Sequence, residues 1–261
     1  LEDVAQTPTY SVPATVVARN TPSISAEIAA AVTEIPVLVG DRVEQGALLA
    51  RLDCRRYEAQ RDSAESALAQ AKPNRLFSSR QLGRTEDLRR KNSISEELLD
   101  QRQTELAANR TLEQGAAAAL SQATIDVDAC VLRAPLDAIV TATHASVGAY
   151  VTPGMPVVAL SATSDQEVSV SLRADQVESF NTALSRYFEH GGQALALELR
   201  TIIPVFDSIS RTREARLTFR STSAMPGTPG RVTWRGQQSR VPAEFLLRRD
   251  LQIGVFILAQ D

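Results

Sequence analysis

The chain has 261 residues, a formal net charge of −3 and a hydrophobic fraction of 43%. This length predicts more than one domain, and the acidic balance argues against the basic surface that nucleic-acid-binding domains carry. No run of about 18 apolar residues occurs, so no membrane-spanning helix is predicted. Because the chain starts at Leu1 without an initiator methionine or signal peptide, we interpret it as a mature or engineered fragment that has lost a membrane anchor.

A repeat organises the first part of the chain. Val4–Ile28 alternates polar and apolar residues around three prolines, which predicts short strands. Residues 26–52 then align without a gap with residues 134–160, at an offset of 108 positions and with nine identities. Both segments place two glycines where tight turns are needed. Since neither segment is large enough to bury its own apolar face, we expect the two to form one small β-sandwich.

Two long helices are predicted between the repeated segments, from Arg55 to Lys91 and from Ser95 to Asp128. Both stretches are rich in strong helix formers. The second has an apolar residue at four of five positions spaced seven residues apart, namely Leu99, Leu106, Leu120 and Val127; Glu113 is the exception. Arms of about 35 residues would be about 50 Å long, so we expect a projecting antiparallel hairpin. Pro73, inside the first arm, predicts a kink or a break near Ala69–Lys72.

The turn between the arms is predicted at Lys91-Asn92-Ser93. Asn92 suits a left-handed helix cap, and Ser93 with Glu96 is a candidate capping box for the second helix.

The two cysteines lie at the two ends of the hairpin, Cys54 before the first arm and Cys130 after the second. Their midpoint is residue 92, at the predicted turn, so the two thiols should face each other across the base. A disulfide there would stabilise the fold by about 4–5 kcal/mol in the chain-entropy model, less any native strain. It would also imply an oxidising compartment. Two buried free thiols are the alternative.

The sequence contains no catalytic or cofactor motif: the nucleophile elbow, the phosphate-binding loop and the dinucleotide fingerprint are all absent. His144 and His190 are isolated, and the cysteines are not spaced for metal ligation. We therefore predict a protein that is not an enzyme and needs no metal or cofactor.

The segment from Val39 to Asp53, the helical hairpin, and the run Arg133-Ala134-Pro135-Leu136-Asp137 together resemble a known arrangement. It is the split lipoyl-like domain of periplasmic adaptor proteins, the HlyD-type membrane fusion proteins, although Ala138 replaces the family's usual glycine. The rival hypothesis is a true lipoyl or biotinyl carrier. A carrier needs a lysine at the turn joining the halves, but here helical arms replace that turn and neither half contains a lysine.

The rest of the chain resembles the other adaptor domains in the expected order. Ile202–Asp207 with Ser210–Arg213, and Met225–Val232, are similar to β-barrel segments, while Arg240–Ala243 with Gly254–Ile257 is similar to the start of the membrane-proximal domain. The resemblance implies an elongated, multidomain α+β adaptor. It has a long antiparallel helical hairpin inserted in a split lipoyl-like β-sandwich, a β-barrel domain and part of a membrane-proximal β domain. The implied boundaries are 1–14 for a membrane-proximal strand, 15–22 for a barrel strand, 23–53 and 131–161 for the lipoyl-like halves, 54–130 for the hairpin, 162–236 for the barrel and 237–261 for the start of the membrane-proximal domain.

The resemblance also implies contact sites. Arg84, Leu88 and Ser95 fit the spacing of the motif with which the family docks onto TolC-type outer-membrane channels, and Arg84 and Leu88 share a helix face. The alternative is that Leu88 packs between the helices, Ser95 only caps a helix and Arg84 is solvated. A second candidate set, Asp207, Arg211 and Arg213, would contact an inner-membrane transporter or form a surface ion pair.

The implied function is that of a periplasmic adaptor subunit of a tripartite efflux pump. It would be associated with the inner membrane, with a lipid anchor at the N-terminus as one means. It would bridge a transporter of the resistance–nodulation–division (RND) type to a TolC-type channel, and its copies would self-associate into a ring. An adaptor of an ABC exporter or type I secretion system is the alternative within this class, and a non-transport envelope scaffold is the alternative from another class. No cofactor and no nucleic-acid partner are implied.

Overall fold

The computed structural model describes residues 7–91, 93–236, 247–249 and 252–254. These residues form an α+β structure that divides into two compact units. One unit comprises residues 23–136 and 140–160, and the other comprises residues 1–22, 137–139 and 161–261.

The first unit is built on a split β-domain of two four-stranded sheets, ordered β2-β9-β7-β4 and β6-β5-β3-β8. Each sheet combines strands from both repeated segments, so the prediction of one β-sandwich made from two halves is confirmed. Its strands are β2 (Ser23–Ser25), β3 (Ala30–Glu34), β4 (Arg42–Val43), β5 (Leu48–Leu52), β6 (Val131–Arg133), β7 (Ala138–Thr143), β8 (Tyr150–Val151) and β9 (Pro156–Ala162). Apolar side chains from both halves fill the space between the sheets; the fully buried ones include Val32, Leu49, Leu52, Val140, Val151 and Leu160.

Turns in each half are held by the other half through reciprocal backbone hydrogen bonds. The amide of Gly40 donates to the carbonyl of Val140 over 2.8 Å, and 108 positions further on Gly148 donates to Val32 over the same distance. Both glycines have a positive φ, 97° and 88°, which strains any residue that carries a Cβ. The repeat in the sequence is therefore a repeat in the hydrogen bonding.

The helical hairpin leaves this domain after β5 and returns before β6. Helix α1 spans Arg55–Arg90 and helix α2 spans Glu96–Asp128, which confirms the two predicted arms to within a residue at each end. Helix α1 continues through Pro73 without interruption, so no break occurs near Ala69–Lys72. The proline is exposed, so its ring stays clear of the packed face, and its missing N–H removes only one helix hydrogen bond.

The start of α2 differs from the prediction. Ser95, rather than Ser93, is the N-cap, and its hydroxyl accepts a hydrogen bond from the amide of Leu98 over 3.4 Å. The amide of Ser93 instead donates to the carbonyl of Leu88 at the end of α1. The chain therefore uses Ser93 to close the first helix and Ser95 to open the second. Asn92, the predicted left-handed cap, lies outside the described residues.

The second unit contains a closed six-stranded barrel in the order β1-β10-β13-β12-β11-β14. Trp234 is buried there, stacked on Tyr10 and edge-on to Phe180, which anchors the short helix α3 against the barrel. Its elements are β1 (Thr9–Ala18), β10 (Gln166–Arg173), α3 (Ala174–Thr182), β11 (Arg186–His190), β12 (Gln193–Phe206), β13 (Thr212–Phe219) and β14 (Pro229–Arg235).

Strand β1 corrects the boundary predicted at residue 14. It pairs with β14 from Thr9 to Thr15 and with β10 from Ala14 to Ala18, so residues 9–14 belong to the barrel. The reason is the unbroken alternation of Val12, Ala14 and Val16, all of which are buried.

Little of the predicted membrane-proximal domain is described. In the predicted segment 237–261, strands β15 (Leu247–Arg249) and β16 (Gln252–Gly254) form an antiparallel pair. The other residues of that segment, together with residues 1–6, lie outside the described part of the chain.

Candidate docking sites

The seam between α1 and α2 follows the alternating three- and four-residue spacing of a coiled coil. Towards the tip its buried and half-buried residues are Arg75, Ser78, Leu82 and Thr85 of α1 and Leu99, Arg102, Leu106 and Asn109 of α2. The middle of the seam is polar. The side-chain amide of Asn109 donates to the hydroxyl of Ser78 over 2.6 Å, and the guanidinium of Arg75 pairs with the carboxylate of Glu113. Glu113, which interrupts the apolar repeat in the sequence, is therefore one half of an ion pair between the helices. These contacts fix which residues of the two helices face each other.

The hairpin tip presents an apolar side chain to solvent. Leu88 is 47% exposed, whereas Thr85 and Leu99 fill the seam at this height. When the seam residues are assigned to positions a and d, Leu88 and Leu98 both occupy position g. In an antiparallel pair the g positions of the two helices lie on the same side of the seam. Leu88 and Leu98 thus share one flank of the tip.

The other two predicted tip residues differ in what they do. Arg84 is exposed and lies one turn before Leu88, on the same side of α1. Ser95 is exposed as well, but its hydroxyl caps α2. The structure therefore places Arg84 and Leu88 on one flank, and Ser95 at the helix start beside it.

The base of the hairpin is closed by a disulfide between Cys54 and Cys130, with Cα atoms 5.7 Å apart. Beside it, the hydroxyl of Tyr57 donates to the carbonyl of Ala29 in the β-domain over 3.1 Å. The first turn of α1 is thus tied to both the other helix and the sheet.

The candidate transporter contact lies in the turn that joins β12 to β13. Here Asp207 is engaged within its own turn, because one carboxylate oxygen accepts hydrogen bonds from the amides of Ile209 and Ser210 and from the hydroxyl of Ser210. These bonds hold the pKa of Asp207 below its ordinary value. The guanidinium of Arg213 stacks on the ring of Phe206, 4.1 Å from its centre. The third candidate, Arg211, is exposed.

Comparison with known proteins identifies the family. The family model for the CzcB-like, barrel-sandwich hybrid domain matches residues 20–162, more than half of the chain. The chain belongs to the periplasmic adaptor, or membrane fusion protein, family. The multidrug resistance protein MdtA of Yersinia pseudotuberculosis is 25% identical to this adaptor over 205 residues, 78% of this chain and 44% of MdtA. The adaptor chain thus spans less than half the length of the curated relatives it matches.

Solved structures share the fold of this adaptor. A MacA–MexA chimeric protein, which contains the α-hairpin domain of Pseudomonas aeruginosa MexA, matches with a TM-score of 0.69 and 17% identity, over 98% of this chain and 95% of its own. The membrane fusion protein Spr0693 of Streptococcus pneumoniae R6 matches with a TM-score of 0.66 and 18% identity, over 89% of this chain and 99% of its own. At such identities the likeness concerns the fold alone.

Family membership carries one general statement: adaptors of this family are non-enzymatic, in agreement with the sequence prediction. No helix among the described residues of this adaptor is both long and apolar enough to cross a membrane.

Sequence reasoning missed several apolar residues of the adaptor that lie outside its buried cores; Leu98 among them is half-buried. Leu98 shares the flank of Leu88, and its position one residue before the seam residue Leu99 was the available signal. Phe77 and Leu112 extend this flank towards the middle of the hairpin, and both are exposed. Ile209, in the β12–β13 turn, had no signal in the sequence because it is a single apolar residue among polar ones.

Proposed function

We propose that this chain is the periplasmic adaptor subunit of a tripartite efflux pump, located in the periplasm at the inner membrane. It bridges an inner-membrane transporter to a TolC-type outer-membrane channel. The observation that carries the proposal is the tip of the hairpin, where Leu88 is half-exposed beside Leu98 and Arg84 instead of lying in the seam. A leucine left in water at the end of a long hairpin is understandable as an anchor that becomes buried in a complex.

The chemistry of the tip suits the end of a channel protein. Leu88 would enter an apolar depression, and the planar guanidinium of Arg84 would donate to carbonyl or carboxylate oxygens around it. Because both residues lie on one helix that is already formed, docking orders little additional chain. Ser95 supports the site by fixing the start of α2.

Two further features support the wider assignment. The disulfide between Cys54 and Cys130 suits an oxidising compartment such as the periplasm. The exposed Phe77 and Leu112, on the flank of the hairpin below the tip, suit contact with the channel or with a neighbouring copy in a self-associated ring.

We propose an RND-type transporter as the inner-membrane partner, because the β-barrel segment of the sequence resembles that group of adaptors. An ABC exporter or type I secretion system is the alternative, and an envelope scaffold without transport is the second. A neighbouring gene for a large protein with many membrane spans favours the RND-type partner, and a neighbouring ATPase gene favours the ABC exporter or type I secretion system. The absence of both genes favours the scaffold.

The test of the tip is complementation of an efflux-deficient strain with Leu88→Asp and Arg84→Asp variants. We expect both to abolish efflux while circular dichroism melting stays unchanged, since both side chains are exposed. Ile125→Asp is the matched control because Ile125 is 55% exposed on the same hairpin but near its base. The control should transport normally. Wild-type efflux by both tip variants would refute channel docking through this flank.

A further inference from the structure

The β12–β13 turn, residues Asp207–Arg211, carries the most exposed large apolar side chain of the described chain. Ile209 is 93% exposed, and on the strand leading into the turn Val205 is exposed too. Nothing in the barrel covers Ile209, and its removal from water would be favourable in a complex. We call this segment the Ile209 turn.

The Ile209 turn is ordered before any partner arrives. Besides the three hydrogen bonds to the carboxylate of Asp207, the amide of Asp207 donates to the carbonyl of Thr212 over 2.9 Å, and the amide of Arg211 donates to the carbonyl of Asp207 over 2.8 Å. Arg211 takes a left-handed conformation, with a φ of 55°. A turn fixed in this way loses little conformational freedom when it binds.

The strand before the turn is also irregular, which helps to set the turn apart from the barrel wall. Between Ile202 and Phe206, strand β12 has more residues than the facing part of β13, and Pro204 lies in this stretch. A proline cannot donate to the sheet, so bulges are where strands accommodate it.

Two guanidinium groups, of Arg211 and Arg213, lie at or beside the Ile209 turn with the one carboxylate of Asp207, so positive charge is in excess there. One carboxylate oxygen of Asp207 accepts three hydrogen bonds from donors of its own turn, which holds that side chain against the turn. The guanidinium of Arg211 is exposed, and that of Arg213 lies against Phe206. The surface offered is an isoleucine side chain with cationic neighbours, which complements an apolar pocket with acidic groups on its rim.

We propose that the Ile209 turn is the point at which the barrel docks onto the transporter, with Ile209 inserted in an apolar, acid-rimmed pocket of that protein. Asp207 is a positioning residue that holds the turn, and Arg211 faces the acidic rim. This inference rests on the proposed function, since it names the adaptor residue that meets the transporter. It replaces the idea that Asp207 itself makes the contact.

A protein pocket fits these observations better than a lipid surface. Ile209 and the exposed Val205 together offer less apolar surface than one acyl chain, and one acyl chain gives only marginal, reversible membrane binding. A rigid turn in which Ile209 is the most exposed apolar side chain suits a pocket of matching shape, where one buried anchor dominates the affinity.

The experiment uses the full-length, tagged adaptor in its own host, with co-purification of the inner-membrane protein and the outer-membrane channel whose deletions abolish the same efflux. Ile209→Asp is expected to lower recovery of the transporter at least tenfold, equivalent to about 1.4 kcal/mol, while the channel is still recovered through the hairpin. Leu184→Asp is the matched control, because Leu184 is 87% exposed elsewhere in the barrel unit. It should recover both partners. Ile209→Ala, which adds no charge, should give a smaller loss in the same direction.

The role of Asp207 is tested by Asp207→Ala and Asp207→Asn. The alanine variant should recover less transporter and show faster amide hydrogen exchange at Ile209 and Ser210. The asparagine variant keeps an acceptor oxygen and should restore most of both. Equal exchange rates in wild type and Asp207→Ala would overturn the positioning role.

The outcomes separate this inference from the proposed function. Recovery of both partners by Ile209→Asp overturns the inference alone, and so does an equal loss with Leu184→Asp. Loss of binding to phosphatidylglycerol vesicles by Ile209→Asp, with transporter recovery intact, overturns it in favour of a lipid surface. If the wild-type adaptor recovers neither partner, the proposed function fails together with the inference.

Discussion

The split β-domain and the helical hairpin belong to one compact unit, but they are stabilised in different ways. In the β-domain, side chains such as Leu49, Val140 and Val151 are fully buried between two sheets. In the hairpin, only a single row of side chains per helix faces the other helix, and its middle contains the Ser78–Asn109 and Arg75–Glu113 contacts. The β-domain relies on apolar burial, whereas the hairpin combines modest burial with polar contacts and a disulfide.

This difference suits the two tasks. A sandwich core tolerates small shifts as long as its volume stays filled. A two-helix seam of small and apolar residues could slide by one turn and pack almost equally well, which would move the tip. Polar contacts between helices disfavour such shifts because a slipped seam would leave polar groups buried without partners.

The strongest test of this comparison is removal of the disulfide. The double variant Cys54→Ser with Cys130→Ser should lower the free energy of unfolding by about 4 kcal/mol, since it releases a long closed loop in the unfolded chain. Urea denaturation of the variant and of the wild type measures the loss. Alkylation of unreduced protein, followed by mass spectrometry, should find no free thiol in the wild type. Equal denaturation midpoints would show that the disulfide contributes nothing to the stability of the fold.

A pair of leucine truncations compares the two regions directly. Leu49→Ala in the β-domain should cost about 3 kcal/mol, because the cavity lies between two sheets that cannot close on it. Leu106→Ala in the hairpin seam should cost less, about 2 kcal/mol, because two helices can move together. Thermal or urea unfolding of both variants provides the comparison. A larger loss for Leu106→Ala would contradict the assignment of apolar stability to the β-domain.

The polar middle of the seam is tested by making it apolar. Ser78→Ala with Asn109→Leu, in the background that lacks the disulfide, should change the free energy of unfolding by less than about 1 kcal/mol or raise it. The alignment of the two helices should nevertheless become heterogeneous. Distances between spin labels on the outer faces of α1 and α2 report that alignment. A single narrow distance distribution in this variant would mean that the polar contacts do not set the register.

Much of this architecture could be predicted from the sequence, because local chemistry and the global fold agree there. Helix formers and the turn between them defined the arms, and the offset of 108 positions identified the two halves that exchange hydrogen bonds. The boundary near residue 14 was wrong because the family order was followed instead of the alternation of Val12, Ala14 and Val16. That alternation continues without a break through β1.

The candidate sites were harder to predict, because a residue type does not reveal what a side chain already contacts. The sequence offered Asp207 as a transporter contact or as part of a surface ion pair, whereas in the structure one of its carboxylate oxygens accepts hydrogen bonds within its own turn. The sequence did not distinguish Leu98 from the other leucines of α2, because its position beside Leu88 depends on how the two helices pair. The exposure of Ile209 could not be predicted from the sequence, because it depends on how the barrel folds around the turn.

The smallest expected effect concerns the junction where the β-domain becomes the hairpin. The side chain of Asp53, just after β5, accepts hydrogen bonds from the guanidinium and the amide of Arg55, the first residue of α1. The Arg55 side chain is the main cause that lowers the pKa of Asp53 from its ordinary value of 3.8 to about 2. A carboxyl group with a lowered pKa stabilises the fold fully above its unfolded pKa and loses that contribution as the pH falls through the folded one. The contribution should therefore disappear between about pH 4 and pH 2, and it should be small because the Arg55 side chain is exposed and the Asp53 side chain is partly exposed to solvent.

Carbon-detected NMR titration of the Asp53 carboxyl group measures this pKa, and Asp53→Asn identifies the signal by removing it. In Arg55→Ala the titration should move up towards the value of an ordinary aspartate. The same variant should leave the Leu49→Ala and Leu106→Ala costs unchanged, because the junction contributes to neither core. A wild-type titration near 3.8 would mean that the Asp53–Arg55 contact does not persist in solution, and the disulfide and Tyr57 would then be the groups that hold the two regions together.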